Sequence, residues 1–157
     1  MGTYFLDTSA IVKRYIVETG QAWVAALCAP NAANTIIVSQ SALAEAVATF
    51  CRKAREADVT KRISEAERDR IIALFRQDVR RHYSVVQVTT SVYTQAGDLC
   101  RLHKLRAYDA VQLACALTTQ DKLAIVGIAP VFMCADTDLL SIAALEGLGT
   151  ENPNAHP

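Results

Sequence analysis

Short apolar runs alternate with longer amphipathic stretches along this chain. Tyr4-Phe5-Leu6 is apolar but too short to classify alone, and it ends in Asp7-Thr8-Ser9, three residues suited to capping a helix. Residues 10–15 read as a helix start and residues 21–27 as a second helical piece, while Pro30, Asn31 and Asn34 mark a loop. The β-branched run Thr35-Ile36-Ile37-Val38 predicts a strand. Residues 39–41 can cap the helix predicted over 42–54, where Leu43, Val47 and Phe50 recur at helical spacing. Residues 58–81 form a second, charged helical region with a partial apolar stripe of Ile63, Ile71, Leu74, Phe75 and Val79. Residues 85–88 predict a strand, and Thr89, Thr90 and Ser91 cap a helix reaching about residue 103. An Ala-rich helix follows over 110–118, then a strand over 130–134 and a helix from Asp136 through Leu145. Gly147 and Gly149 stop that helix.

Strands of four or five residues separated by helices are the pattern of a three-layer α/β fold, a central parallel sheet flanked by helices. No internal repeat and no dividing linker interrupts it, so residues 1–150 are expected to form one domain, with a possible helical arm at 56–81 and a flexible tail at 151–157. Hydrophobic residues make up 52% and charged residues 20%, which excludes a disordered or fibrous chain. No apolar run approaches the ~18 residues of a membrane span. The N-terminus does not read as a secretion signal, and a cytoplasmic location is the expectation. Five cysteines, an odd number with no C-x-x-C pair, argue against a disulfide framework or a zinc site.

Sixteen basic and sixteen acidic side chains cancel, but they are segregated. Between Lys13 and Arg106 there are 15 Lys or Arg against 9 Asp or Glu, whereas beyond Arg106 a single Lys122 faces six acids. Folding can therefore set an acidic focus beside a basic wall. Asp7 and Asp136 each follow an apolar strand and precede a helix, the edge where parallel α/β sheets bind ligands, although each also reads as a helix cap. Asp109 sits among apolar neighbours, where an isolated charge is expensive; Arg106 or a metal ion would compensate it. Glu45, in Leu43-Ala44-Glu45-Ala46-Val47, has small neighbours that leave room for a substrate, or is an ordinary surface glutamate. Carboxylates converging without His or Cys suit a hard cation, Mg²⁺ or Mn²⁺. Such ions bridge acids to phosphate oxygens, and the basic surplus would hold a polyanion.

These segments resemble, in order, the signatures of PIN-domain proteins, especially the VapC-type toxins of toxin–antitoxin pairs. Residues 4–13 resemble the family's opening, 39–47 its second motif, 105–114 its most specific motif, and Ala135-Asp136-Thr137-Asp138-Leu139-Leu140 its closing segment. The resemblance implies a PIN fold and a Mg²⁺- or Mn²⁺-dependent endoribonuclease acting on RNA. It also implies a homodimer inhibited by a small antitoxin protein. Asp7, Glu45, Asp109 and Asp136 match the catalytic, metal-holding acids. Thr8 and Ser9 match the hydroxyl positions beside the first acid, and Asp138 would assist through water. Lys13, Arg14, Arg52, Lys53 and Arg55 are the expected RNA-binding residues, lying near two of the acids.

Three other readings compete. A haloacid-dehalogenase-type phosphatase would need D-x-D where Asp7-Thr8-Ser9 stands, and a receiver domain would need a late lysine after a strand. A catalytically silent PIN-type module that binds RNA or protein remains the alternative, and the four intact acids count against it.

Overall fold

Phe5, Ile36, Ile37, Val38 and Phe132 are buried, which gives the central strands the apolar ladder that a covered parallel sheet requires. In the computed structural model, which describes residues 1–156, β1 (Thr3–Leu6), β2 (Thr35–Ser39), β3 (Tyr83–Val86), β4 (Val131–Met133) and β5 (Gly149–Glu151) form one sheet. The strand order is β3-β2-β1-β4-β5, and every neighbouring pair is parallel. The helices are α1 (Thr8–Lys13), α2 (Gln21–Leu27), α3 (Gln40–Ala54), α4 (Glu65–Arg81), α5 (Thr90–Leu102), α6 (Ala107–Ala124) and α7 (Thr137–Leu145).

The period-two alternation of the strands divides the core. Phe5, Ile37 and Phe132 pack on one face with residues of α5, α6 and α7. Leu6, Val38 and Met133 pack on the other with α1 to α4. In α6, the run Ala110–Leu117 is buried throughout, so its small side chains let the helix lie close against its neighbours. Caps fix the helix starts: the Ser39 hydroxyl accepts from the Ala42 N–H and the Ser64 hydroxyl from the Glu67 N–H. Glu65 and Glu67 in the first turn of α4, with Arg80 and Arg81 in its last, complement the helix dipole.

Three segments differ from the sequence reading. The charged region expected as a helix from residue 58 is a loop to residue 64, and only α4 is helical. Nor does α4 stand away as an arm along its length, because Ile71, Phe75 and Asp78 are buried. The strand expected at 85–88 begins earlier, at Tyr83, whose side chain joins the core. The closing segment contains a strand, β5, which carries no hydrophobic period to announce it and pairs with β4 at the sheet edge. Beyond it, Pro153 is buried and the His156 ring stacks on Trp23 at 3.9 Å and 7°. Of the tail expected at 151–157, only Pro157 lies outside the described residues.

Gly20 shows why that closing turn needs its partner. Its φ is +84°, and a Cβ there would lie 2.2 Å from the Pro153 carbonyl oxygen. Backbone cannot yield as a side-chain tip can. Gly20→Ala is expected to destabilise by about 2 kcal/mol, lowering Tm by roughly 4–8 °C. Circular dichroism melting checks this, and an unchanged Tm would contradict the close approach.

Candidate active site

The chain runs outward from β1 to β2 and β3, then returns to place β4 on the other side of β1. The β1–β4 boundary is thus the topological switch point, where an open α/β sheet leaves a crevice beyond its strand ends. Asp7 follows β1 and Asp136 lies just beyond β4, so both reach this crevice. Its two sides are stitched together: the Asp7 N–H donates to the Met133 carbonyl at 2.9 Å, and the Ala135 N–H donates to the Ser9 hydroxyl at 2.9 Å. Glu45 arrives from α3 and Asp109 from the first turn of α6. All four acids line one cavity of about 630 Å³, with Thr8, Ser9, Lys13, Glu18, Arg52, Lys53 and Arg106 also on its wall.

Three of the acids are held through one oxygen. Asp7 Oδ2 accepts from the Ser9 N–H (3.0 Å), the Ser9 hydroxyl (2.7 Å) and the Cys134 thiol (3.4 Å). Asp136 Oδ1 accepts from the N–H groups of Asp138 (2.9 Å) and Leu139 (3.1 Å). Glu45 Oε2 accepts from the Thr8 hydroxyl (2.5 Å) and from Gln112 Nε2 (2.8 Å). Among the described residues, the second oxygen of each is left without a hydrogen bond, and Asp109 makes none with either. Asp7 and Asp136 cap α1 and α7 as the cap reading expects, and capping still leaves each a carboxylate oxygen for other work.

The charges feel one another. Burial raises the Asp109 pKa, and the Asp7 and Asp136 carboxylates raise it further; Arg106 opposes them, and Glu45 adds a smaller push upward. Burial, followed by the Asp7 charge, pushes the Cys134 thiol far up, so it remains protonated and donates. The donor set facing the cavity is therefore carboxylate oxygen without thiolate or imidazole, which fits a hard divalent cation rather than a soft one. No three Asp, Glu, His or Cys side chains among the described residues are drawn closely enough together to hold an ion as they stand.

The cationic residues divide. Lys13, Arg52 and Lys53 line the cavity. Buried Lys13 donates to Glu18 Oε1 (3.0 Å) and to the Thr19 carbonyl (2.8 Å), while Lys53 Nζ lies 3.8 Å from Glu18 Oε2. Arg14 does not reach the cavity: it donates to the Ala25 carbonyl at 3.0 Å, and its Nε lies 3.8 Å from Asp78. Adjacent helical residues point ~100° apart, so one face cannot take both Lys13 and Arg14. Arg55 is an exposed C-cap outside the lining, and Asp138 is exposed and likewise outside it.

Gln112, Glu18 and Cys134 escaped the sequence reading. Gln112 had a signal: a polar residue three positions after Asp109 in an otherwise apolar stretch must find partners once buried. Glu18 and Cys134 carried none, since their partners are met only in the fold.

The sequence model of the PIN domain matches residues 4–144. Two curated Mycobacterium tuberculosis proteins, Ribonuclease VapC45 and Ribonuclease VapC49, are each 34% identical over 122 residues, covering 77% of this chain and 79% of their own. Among solved structures, VapBC2 from Rickettsia felis, bound to a DNA fragment from its promoter, superposes with a TM-score of 0.60 at 13% identity, covering 96% of this chain and 98% of that one. Mycobacterium tuberculosis VapC20, a sarcin-ricin loop cleaving toxin, gives 0.61 at 16% identity, covering 98% and 99%. The structural likenesses speak to fold; the family match and the 34% relatives speak to descent. This chain belongs to the PIN-domain family and is homologous to the VapC-type toxin ribonucleases.

Proposed function

We propose that this chain is a Mg²⁺- or Mn²⁺-dependent endoribonuclease and the toxin of a toxin–antitoxin pair. The observation that carries the reading is the meeting of Asp7, Glu45, Asp109 and Asp136 in one cavity with Lys13, Arg52 and Lys53 on its wall. Asp7, Asp109 and Asp136 would hold the cation through carboxylate oxygens, and Glu45 would ligate a second ion or orient the attacking water. A bound divalent cation supplies an acidified water and charge stabilisation at the leaving oxygen.

The chain's own residues do the rest. The Ser9 hydroxyl and N–H fix Asp7 Oδ2, and the Thr8 hydroxyl fixes Glu45 Oε2, so neither carboxylate must be ordered when substrate arrives. Lys13 Nζ spends two donors on Glu18 and Thr19 and has a third for a phosphate oxygen. Arg52 and Lys53 extend that cationic wall along α3. The toxin relatives support a proposed antitoxin partner, and the family resemblance a proposed homodimer. No described helix is long and apolar enough to cross a membrane.

The test is cleavage of a structured RNA panel with Mn²⁺ and with chelator. Metal-dependent endonucleolytic products are expected; RNA binding without cleavage in any divalent cation would return the silent-module reading. A second measurement concerns the wall. Arg52→Gln with Lys53→Gln is expected to weaken binding of a single-stranded RNA and to make log K against log salt shallower by about 1.4, at ~0.7 per phosphate contact. Arg55→Gln is expected to leave that slope unchanged. An unchanged slope in the double variant would remove both residues from the RNA path.

A further inference from the structure

Gln112 is the one uncharged polar side chain of α6 buried between the acids. It is 1% exposed, and its amide is engaged at both ends. Nε2 donates to Glu45 Oε2 at 2.8 Å and to Thr8 Oγ1 at 2.9 Å, while Oε1 accepts from the Ser39 hydroxyl at 2.7 Å. Ser39 in turn caps α3, the helix that carries Glu45, and bonds to the Ser41 hydroxyl at 2.9 Å. Thr8 closes the loop by donating to the same Glu45 oxygen. One amide therefore joins α1, which follows Asp7, α3, which bears Glu45, and α6, which bears Asp109.

We infer that Gln112 is a positioning residue that fixes the orientation of Glu45 and keeps its Oε1 turned to the cavity. This rests on the metal-dependent nuclease reading of the same site. The chemistry selects an amide for the task. A neutral donor toward Glu45 and a neutral acceptor toward Ser39 are needed in one planar group, and no other uncharged side chain of this length supplies both. A carboxylate would repel Glu45, and an apolar side chain would leave Glu45 Oε2 with the Thr8 hydroxyl alone, free to rotate. The Glu45 carboxylate, which only accepts, fixes which end of the amide faces it, and that leaves Oε1 to accept from the Ser39 hydroxyl. Buried polar groups satisfied in this way define one geometry.

The test compares the full-length wild type with Gln112→Met, which keeps the length and loses every hydrogen bond, and with Ser39→Ala, which leaves the Glu45 end of the amide in place and releases its far end together with the α3 cap and the Ser41 bond. Four quantities are measured: Tm, the Mn²⁺ dissociation constant by calorimetry, and kcat and KM for RNA cleavage. Gln112→Met is expected to lower kcat at least tenfold with KM within threefold, and to weaken Mn²⁺ binding severalfold. Ser39→Ala is expected to move kcat and the Mn²⁺ constant in the same direction by a smaller factor, so the inference stays testable if Gln112→Met does not fold. Folded variants whose kcat and Mn²⁺ affinity lie within twofold of the wild type would overturn the inference while leaving the nuclease reading intact. A wild type that takes up no Mn²⁺ and cleaves no RNA would overturn the reading itself, and the inference with it.

Discussion

Asp109→Asn is expected to lower RNA cleavage by more than ~100-fold while leaving the cation-free protein at least as stable as the wild type. Losing a group that merely supports a metal ligand costs about 10- to 100-fold in affinity or activity, and a direct ligand should exceed that. The stability half follows from the side chain's surroundings. Asp109 accepts no hydrogen bond among the described residues, so Asn forfeits none. What it removes is a half-buried charge facing Asp7 and Asp136. An acid whose folded pKa is raised binds more protons folded than unfolded, so stability falls as pH rises from the ordinary carboxylate range through the raised value. The Tm advantage of Asp109→Asn in chelator should therefore be present at neutral pH and shrink as the pH falls and the wild-type carboxyl protonates. Added Mn²⁺ should reverse the order, raising the wild-type Tm more than the variant's, because only a chain that binds the ion gains from it. Melting curves at two pH values, with and without Mn²⁺, check the whole pattern. A variant less stable than the wild type at neutral pH without metal, or one that still cleaves fully, would show that Asp109 serves structure rather than the ion.

The sheet was legible where the chain is β-branched or aromatic and illegible where it is not. Thr35–Ser39 and Val131–Met133 announce themselves, whereas Gly149–Glu151 is a strand only because β4 offers it an edge. The acids followed the same logic. Asp7 and Asp136 were readable because each ends an apolar strand, a local fact. That Glu45 and Asp109 line the same cavity depends on how α3 and α6 cross the switch point, and no spacing encodes that crossing; only family resemblance supplied the expectation. Charge was the least legible property. Lys13 and Arg14 look equivalent in sequence, yet helical geometry sends one to the cavity and the other toward Asp78. A counting argument sees two cations where the site receives one.

Asp78→Ala is expected to destabilise the fold by about 3 kcal/mol, at the lower end of what breaking a buried ion pair costs, and to lower Tm by roughly 6–12 °C. Asp78 is 6% exposed on α4 and accepts from the Tyr15 hydroxyl at 2.8 Å. Burial, then the neighbouring Tyr83 and Asp78, holds the Tyr15 phenol protonated far above its ordinary range, so Tyr15 is a permanent donor there. Its ring also packs edge-on against Phe50 and Phe75, each at 5.7 Å, which makes this the seam joining α1, α3 and α4. Arg14 leans on the same carboxylate at 3.8 Å, and its buried Nε has no hydrogen-bond partner. Removing Asp78 thus leaves a largely buried cation with the Ala25 carbonyl as its remaining partner. The physical cause is uncompensated charge, not lost attraction, and that distinction can be tested. Arg14→Met alone should be milder, since Tyr15 can still bond Asp78, and adding Arg14→Met to Asp78→Ala should recover part of the lost Tm. If the double variant melts at the sum of the two single losses, the residues do not act as a pair and the seam is held by the aromatic rings alone. RNA affinity and its salt slope should not follow these stability changes in any folded variant, because Arg14 faces the seam and the cavity's cations are Lys13, Arg52, Lys53 and Arg106.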